Sequence, residues 1–220
     1  RRHRLNMAIK AQPKLQRLRW TVVSTWRLPI LLQPSMPIPD LIRGAGGVIA
    51  IGQFAPVIVK AGRSARKLIR PMHWGYPAPG QVPEMAAPGT VRWVGHVRNL
   101  QSPFWIGNLR HVELRCLIPL TSFALPAGGR SARVRCSLDG GGVMAAAGIW
   151  RDLTDMPVFA MLTVDASEAL RPVEGGAMPQ GMPALLDKAA QEQWLRAEWK
   201  EAARLVKPYS GSDLRVETLC

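Results

Sequence analysis

The middle of the sequence holds polar and aromatic residues whose types suit contact with a phosphodiester chain. His73 and Trp74 are neighbours, and Arg98 and Asn99 form a second pair further along. A guanidinium group donates two parallel hydrogen bonds to a phosphate, and an indole ring stacks on a base. Each residue also has a structural alternative. Arg98 could form a salt bridge, Trp74 could pack in the core, and His73 could be an ordinary surface histidine.

The charge of the chain is strongly positive and is concentrated in its first third. The formal net charge is +14 and the pI is about 11.0. Residues 1–70 contain 14 Lys or Arg against one acidic residue, Asp40, whereas residues 71–220 contain 15 basic and 14 acidic residues. Such a one-sided field favours a polyanionic partner. Nucleic acid is the first candidate, an anionic membrane surface is the second, and a basic face that only maintains solubility is the third.

A local basic cluster lies in this region, on a predicted hairpin. Its members are Arg63, Arg66, Lys67 and Arg70. These side chains either follow the backbone of a nucleic acid or form a solvated face without a partner. The sequence does not decide between these two interpretations.

The cysteines and the sequence motifs exclude several other kinds of site. Cys116, Cys136 and Cys220 are odd in number and none has C-x-x-C spacing, which argues against a zinc knuckle or a disulfide framework. Cys116 lies in an apolar run and should be buried and inert, and His111 nearby in the sequence is no evidence for a cysteine protease. No nucleotide-binding or zinc-protease motif is present, so we expect no metal and no cofactor. No apolar run reaches the roughly 18 residues of a membrane span, and a reducing cytoplasm fits best.

The elements that must position these residues are mostly strands. Alternation and turn residues predict a hairpin from residues 55–60 and 67–74, a loop over residues 75–89, and a strand near the C-terminus at residues 214–217. Further strands are predicted at residues 115–123, 133–138, 143–150 and 158–164. An apolar stripe predicts a helix from Pro183 to Leu205 with a break near Arg196. A short helical run is expected at residues 7–11, and residues 22–52 have the pattern of an extended connection. We therefore expect one α+β domain over residues 1–220, with antiparallel strands and helices near the two ends.

Six short segments in the same order resemble the SRAP (SOS response-associated peptidase) family. The resemblance implies a barrel-like, β-rich core. It also implies a monomer that acts on single-stranded DNA in the DNA damage response. The segments are Met72–Gly75, Val97–Trp105, Arg115–Pro119 with Thr121–Phe123, Ala147–Trp150, Leu162–Thr163 with Ala177–Pro179, and Trp194–Leu195.

The resemblance also implies a specific chemistry. Family members expose a cysteine as their first residue once the initiator methionine is removed. Its α-amine and thiol react with the aldehyde of a ring-opened abasic site and form a thiazolidine, which is a DNA–protein crosslink. An asparagine and an arginine hold the sugar and the phosphate, and a glutamate and a histidine transfer protons. A tryptophan and a basic groove hold the single strand.

Most of the reactive positions of the family are substituted in this chain. Arg98 matches the family's arginine, but His96 stands at the asparagine position and Leu125 at the glutamate position. An ungapped count puts Gly175 at the histidine position, and its titratable neighbour is Glu174. His96 and Glu174 are therefore candidates for an exchanged acid/base pair. A leucine transfers no proton, and general acid–base assistance is typically worth about 10²–10⁴-fold in rate.

The cysteine position is also unmatched. Arg2 falls on or near it, or the cysteine precedes Arg1. Without the thiol, an α-amine alone still forms a reversible imine with an aldehyde.

We therefore expect a SRAP-fold protein that binds single-stranded DNA at abasic sites, with crosslinking activity that is weak or absent. The alternative is an inactive relative, a pseudoenzyme that serves as a binding or regulatory module on a mobile or phage-borne element. A true peptidase has only the family's name in its favour. The expected DNA contacts are Trp74, Arg98, Asn99, Arg70 and Lys67.

Overall fold

The computed structural model describes residues 21–23, 48–62, 66–83, 89–126, 133–153, 156–170 and 179–219. The helical run expected at residues 7–11 and the candidate residue Glu174 lie outside these ranges. The strands are β1 (Thr21–Val23), β2 (Val48–Ala50), β3 (Phe54–Lys60), β4 (Lys67–Trp74), β5 (Tyr76–Pro77), β6 (Trp93–Val94), β7 (His96–Val97), β8 (Arg115–Leu120), β9 (Ser122–Pro126), β10 (Arg133–Leu138), β11 (Met144–Asp152), β12 (Pro157–Val164), β13 (Met182–Pro183), β14 (Leu185–Leu186) and β15 (Leu214–Leu219). The helices are α1 (Pro103–Arg110), α2 (Lys188–Trp194) and α3 (Trp199–Ala202), and 3-10 turns cover Val112–Leu114, Glu168–Leu170 and Ala203–Leu205.

Five strands form a closed barrel. The strands pair in the order β4, β3, β8, β11 and β12, and β12 returns to β4. All of these pairs are antiparallel except that of β4 with β12. Closure leaves no unpaired edge within the ring, which satisfies the backbone hydrogen bonds of these strands. The prediction of a barrel-like, β-rich α+β fold is confirmed.

The barrel interior is filled by small and apolar side chains that meet across the strands. Ala55 pairs with Met72, and Gly148 lies between Cys116 on β8 and Met161 on β12. A Cβ atom at Gly148 would lie 2.8 Å from the Cys116 sulfur, so a larger residue does not fit there without a shift. The expectation that Cys116 is buried is confirmed, and burial raises the pKa of its thiol well above the ordinary value.

A second, antiparallel sheet lies beside the barrel in the strand order β15, β10, β9, β1, β2. Only Thr121 separates β8 in the barrel from β9 in this sheet. The single strand predicted for residues 115–123 is therefore two strands in different sheets. The extended connection predicted for residues 22–52 is also corrected, because strands β1 and β2 lie at its two ends and pair with each other.

The predicted C-terminal helix begins later than expected. Residues 182–183 and 185–186 are short strands, and Leu185 and Leu186 pair with β11. The helix begins at Lys188 because the Asp187 carboxylate accepts a hydrogen bond from the Ala190 amide at 2.8 Å and caps the first turn. The break predicted near Arg196 is present between α2 and α3. None of the helices in the described ranges is long and apolar enough to cross a bilayer.

Candidate nucleic-acid interface

The candidate site lies where two strands share one side of β12. β4 and β7 lie one after the other along this side, so Trp74 is beside Phe159 and His96 is beside Met161. The backbone continues the ladder between them, because Met161 donates its amide hydrogen to the Gly95 carbonyl at 2.9 Å. This arrangement brings two residues that are distant in sequence, Trp74 and His96, into contact and places Arg98 just beyond them.

Arg98 is exposed and is held in a defined direction. Its Nη1 atom donates a hydrogen bond to the Val164 carbonyl at 2.6 Å, and its Nη2 atom forms an ion pair with Asp165. About half of the Arg98 side chain, 49%, remains accessible to solvent. A Cβ atom at Gly181 would lie 2.7 Å from Nη1, so the missing side chain at Gly181 provides the space for the guanidinium. These four residues, Arg98, Val164, Asp165 and Gly181, form what we call the Arg98 site.

His96 is partly buried, and its ring lies against the Trp74 ring. The two ring centroids are 5.6 Å apart and the rings are nearly perpendicular, at 84°. Burial lowers the pKa of His96 to about 3, because the charged imidazolium loses its hydration. The imidazole is therefore neutral at pH 7. A general acid or base works best with a pKa near the operating pH, so this environment does not favour the acid/base role expected for His96.

The structure assigns Trp74 to the core. Its side chain is 1% exposed, its Nε1 atom donates to the Gly95 carbonyl at 2.9 Å, and its ring stacks on Phe159 with an interplanar angle of 13°. This placement corrects the expectation of a base-stacking platform, because no face of the indole is free for a base. Beside it lies a small apolar pocket lined by Ile49, Ala55, Trp74, Ile118, Pro119, Leu120, Phe159 and Met161.

His73 is also buried, with 6% of its surface exposed. Its ring centroid lies 4.2 Å from that of Trp93. Desolvation lowers the pKa of His73, and hydrogen bonds to the backbone of Gly75 and Gly52 partly oppose this effect. His73 is therefore neither a surface histidine nor a phosphate contact.

Lys67 and Arg70 do not converge with Arg98. The parallel registers of β4 and β7 on β12 put Arg70 and Arg98 about eight residues apart along the strand direction, which is roughly 26 Å. Arg70 pairs with Asp152 at 3.1 Å and its guanidinium lies 4.9 Å from the Trp150 ring centroid. Lys67 pairs with Glu192, and this pairing is the main reason for the lowered pKa of that carboxyl. The two residues therefore belong to the opposite end of the barrel.

Asn99 is exposed next to Arg98 and also shapes the turn that follows. Its Oδ1 atom accepts a hydrogen bond from the Gln101 amide at 2.9 Å, a pattern typical of Asx turns. Its carbonyl accepts a hydrogen bond from the Ser102 amide at 3.2 Å, just before α1 begins. Asn99 therefore stays beside Arg98 among the exposed candidates, with its carboxamide oxygen already engaged.

Leu125, which the resemblance places at the family's glutamate position, is a core residue. Leu125 is 0% exposed in β9. Among the described residues, no three His, Cys, Asp or Glu side chains are close enough to hold a metal ion. Of the expected residues that the structure describes, it brings together Trp74, His96, Arg98 and Asn99, and of these four Arg98 and Asn99 are exposed.

Sequence reasoning missed two parts of the Arg98 site, Asp165 and Gly181. Asp165 directly follows β12, and an acidic residue at a strand end is a weak signal on its own. Its pairing with Arg98 depends on the parallel register of β7 and β12, across 67 residues of chain. No local pattern predicts that register.

The closed barrel with the second sheet beside it forms a SRAP-like, β-rich domain. Solved structures share this fold. One is a protein from Bordetella bronchiseptica, with 18% identity, a TM-score of 0.67, and coverage of 87% of this chain and 92% of that chain. Another is from Bacteroides thetaiotaomicron, with 16% identity, a TM-score of 0.60, and coverage of 79% and 78%. A third is a phage-related protein from Bordetella bronchiseptica, with 15% identity, a TM-score of 0.57, and coverage of 92% and 93%.

The sequence profile of the SOS response associated peptidase (SRAP) family matches residues 48–219. The chain belongs to the SRAP family. No curated protein matches the sequence significantly.

Proposed function

We propose that this SRAP-family protein binds single-stranded DNA, including DNA with abasic sites, and that Arg98 contacts the phosphate or the sugar. The observation that carries the proposal is the placement of Arg98. It stands at the position of the family's arginine, is exposed, and has a guanidinium fixed by the Val164 carbonyl. A fixed guanidinium binds an anion with a smaller loss of side-chain freedom than a mobile one.

The net charge of the chain supports the same partner. An excess of +14 attracts any polyanion and makes the affinity depend on salt. Because Lys67 and Arg70 already pair with acidic residues at the far end of the barrel, the described hairpin adds little to this field near Arg98. The proposed DNA path therefore passes Arg98 and Asn99 and does not follow the hairpin.

A salt titration tests the proposal. Binding of a fluorescent single-stranded oligonucleotide is measured by anisotropy between low and moderate salt, with and without one abasic site. We expect the affinity to fall steeply with salt. Arg98→Ala should weaken binding about tenfold, the effect of losing one charge-assisted contact, and should reduce the salt slope by about one. Arg204→Ala, which removes an exposed arginine from the turn after α3, is the matched control for the change in net charge.

The result that contradicts the proposal is equally clear. A protein that shows no affinity for the oligonucleotide at low salt does not bind DNA. Equal losses in Arg98→Ala and Arg204→Ala would show that only net charge matters and that Arg98 has no special role.

The second candidate function is an inactive binding or regulatory module. The burial of Leu125 favours it, because the position that carries a proton-transferring glutamate in the family is part of the apolar core. Incubation with an abasic oligonucleotide followed by a denaturing gel distinguishes the two. A covalent adduct that survives denaturation rules out the inactive module. Absence of an adduct together with a flat salt response favours a protein partner over DNA.

A further inference from the structure

Arg98 already holds an anion that belongs to the chain itself. The Asp165 carboxylate forms an ion pair with Nη2, while Nη1 is directed to the Val164 carbonyl. A carboxylate and a phosphate bind a guanidinium through the same arrangement of oxygen acceptors. The Asp165 oxygen therefore stands where a phosphate oxygen would meet Arg98.

We propose that Asp165 is an internal competitor for the anion-binding edge of Arg98, so that a phosphate group binds only by displacing this carboxylate. For a DNA phosphate the inference rests on the proposed function; for inorganic phosphate it stands independently. The competition regulates the site, because it lowers the affinity for isolated phosphates and leaves Arg98 to ligands that are held in place by other contacts as well.

The exposure of the pair makes this displacement feasible. Asp165 is 82% exposed and Arg98 is 49% exposed, and ion pairs in such surroundings are weak. Once the carboxylate leaves, water solvates it without difficulty. The Val164 carbonyl and the space at Gly181 keep the guanidinium in the same direction. The exchange therefore replaces one anion by another with little rearrangement of the backbone.

The chain contains a matched pair that serves as the control. Asp152 pairs with Arg70 at 3.1 Å, is 60% exposed, and lies at the far end of the barrel. Asp165→Asn and Asp152→Asn change the net charge by the same amount and each releases one arginine. Any difference in affinity between the two variants therefore depends on where the released arginine lies and not on the total charge.

Five proteins are compared for binding to a single-stranded oligonucleotide at one salt concentration. They are the unmodified protein, Asp165→Asn, Asp152→Asn, Arg98→Ala, and the double variant Arg98→Ala with Asp165→Asn. We expect Asp165→Asn to tighten binding about three- to fivefold, since only a weak surface pair is removed. Asp152→Asn should have a smaller effect. In the Arg98→Ala background, the Asp165→Asn change should raise the affinity by no more than Asp152→Asn does in the unmodified protein.

A second readout uses inorganic phosphate and the NMR signal of the Arg98 Nε–Hε group. A larger phosphate-induced change in chemical shift in Asp165→Asn than in the unmodified protein supports the proposal that Asp165 competes with phosphate for Arg98. This conclusion holds even if none of the proteins binds the oligonucleotide. In that case the DNA proposal fails and the inference stands. Equal phosphate responses overturn the inference. So does an Asp165→Asn variant that binds DNA as weakly as Arg98→Ala, since Asp165 would then position Arg98 and not compete for it.

Discussion

The partly buried, desolvated imidazole of His96 makes the stability of the protein sensitive to acid. The pKa of His96 is lowered to about 3 in the folded chain, against an ordinary value of 6.5. Between these values the unfolded chain binds one proton that the folded chain does not bind. The contribution of the neutral His96 to the free energy of unfolding is therefore complete above pH 6.5 and is lost as the pH falls toward 3.

The size of the effect follows from the same two values. One proton changes the free energy of unfolding by about 1.4 kcal/mol per pH unit, so His96 accounts for a loss of about 2 kcal/mol between pH 7 and pH 5. Burial also lowers the pKa of His73, which adds a loss of the same sign. We expect the variant His96→Asn to lose less stability between pH 7 and pH 5, because only His73 and the carboxyl groups then contribute to the loss.

Urea unfolding followed by tryptophan fluorescence at pH 5, 6 and 7 measures this difference. The comparison uses the pH dependence within each protein, so a general change in stability caused by the substitution cancels. His111→Asn is the control, because the His111 side chain is 63% exposed and pairs with Glu113 on the surface. If His96→Asn loses as much stability between pH 7 and pH 5 as the unmodified protein, the reasoning from burial is wrong.

Two further predictions concern the Arg98 site and the core. Gly181→Ala places a Cβ atom 2.7 Å from Nη1 of Arg98 and 2.9 Å from the Val164 carbonyl. We therefore expect the DNA affinity to fall up to about tenfold, while the melting temperature falls by only a few degrees. An unchanged affinity would show that the direction of the Arg98 guanidinium is unimportant for binding. Leu125→Glu introduces the residue type that the resemblance implies for this position, but it places a carboxylate in the core. We therefore expect a loss of about 3–5 kcal/mol in the free energy of unfolding, measured by chemical denaturation, and no gain in crosslinking. A stable variant with crosslinking activity would contradict this.

The strands of the barrel were predictable where their signal is local. The hairpin of β3 and β4 follows from alternation on both sides of Gly62, and residues 133–138 and 158–164 likewise carry their own pattern. The start of the last helix was not predictable from its apolar stripe. Leu185 and Leu186 fit that stripe, but they pair with β11, and the Asp187 cap then determines where the helix begins.

The candidate site was predictable only in part. Arg98 could be chosen because it matches a family motif, and its exposure agrees with that choice. Burial of Trp74 and the distance of Arg70 from Arg98 depend on how β4 and β7 share β12, which is a non-local, parallel arrangement. The residue type alone also does not show how far a side chain is removed from water, so the lowered pKa and the neutral state of His96 could not be predicted.

The pairing of β4 with β12 has a consequence for how the chain folds. It joins His73 to Val158, which are 85 positions apart, and it is the contact that closes the ring. The antiparallel hairpins on either side of this contact need much shorter loops, and long loops cost more entropy to close. Ring closure should therefore come late, which places refolding in the range of milliseconds to seconds typical of β-rich topologies with distant contacts. A variant that weakens only this pair should therefore refold more slowly than the unmodified protein.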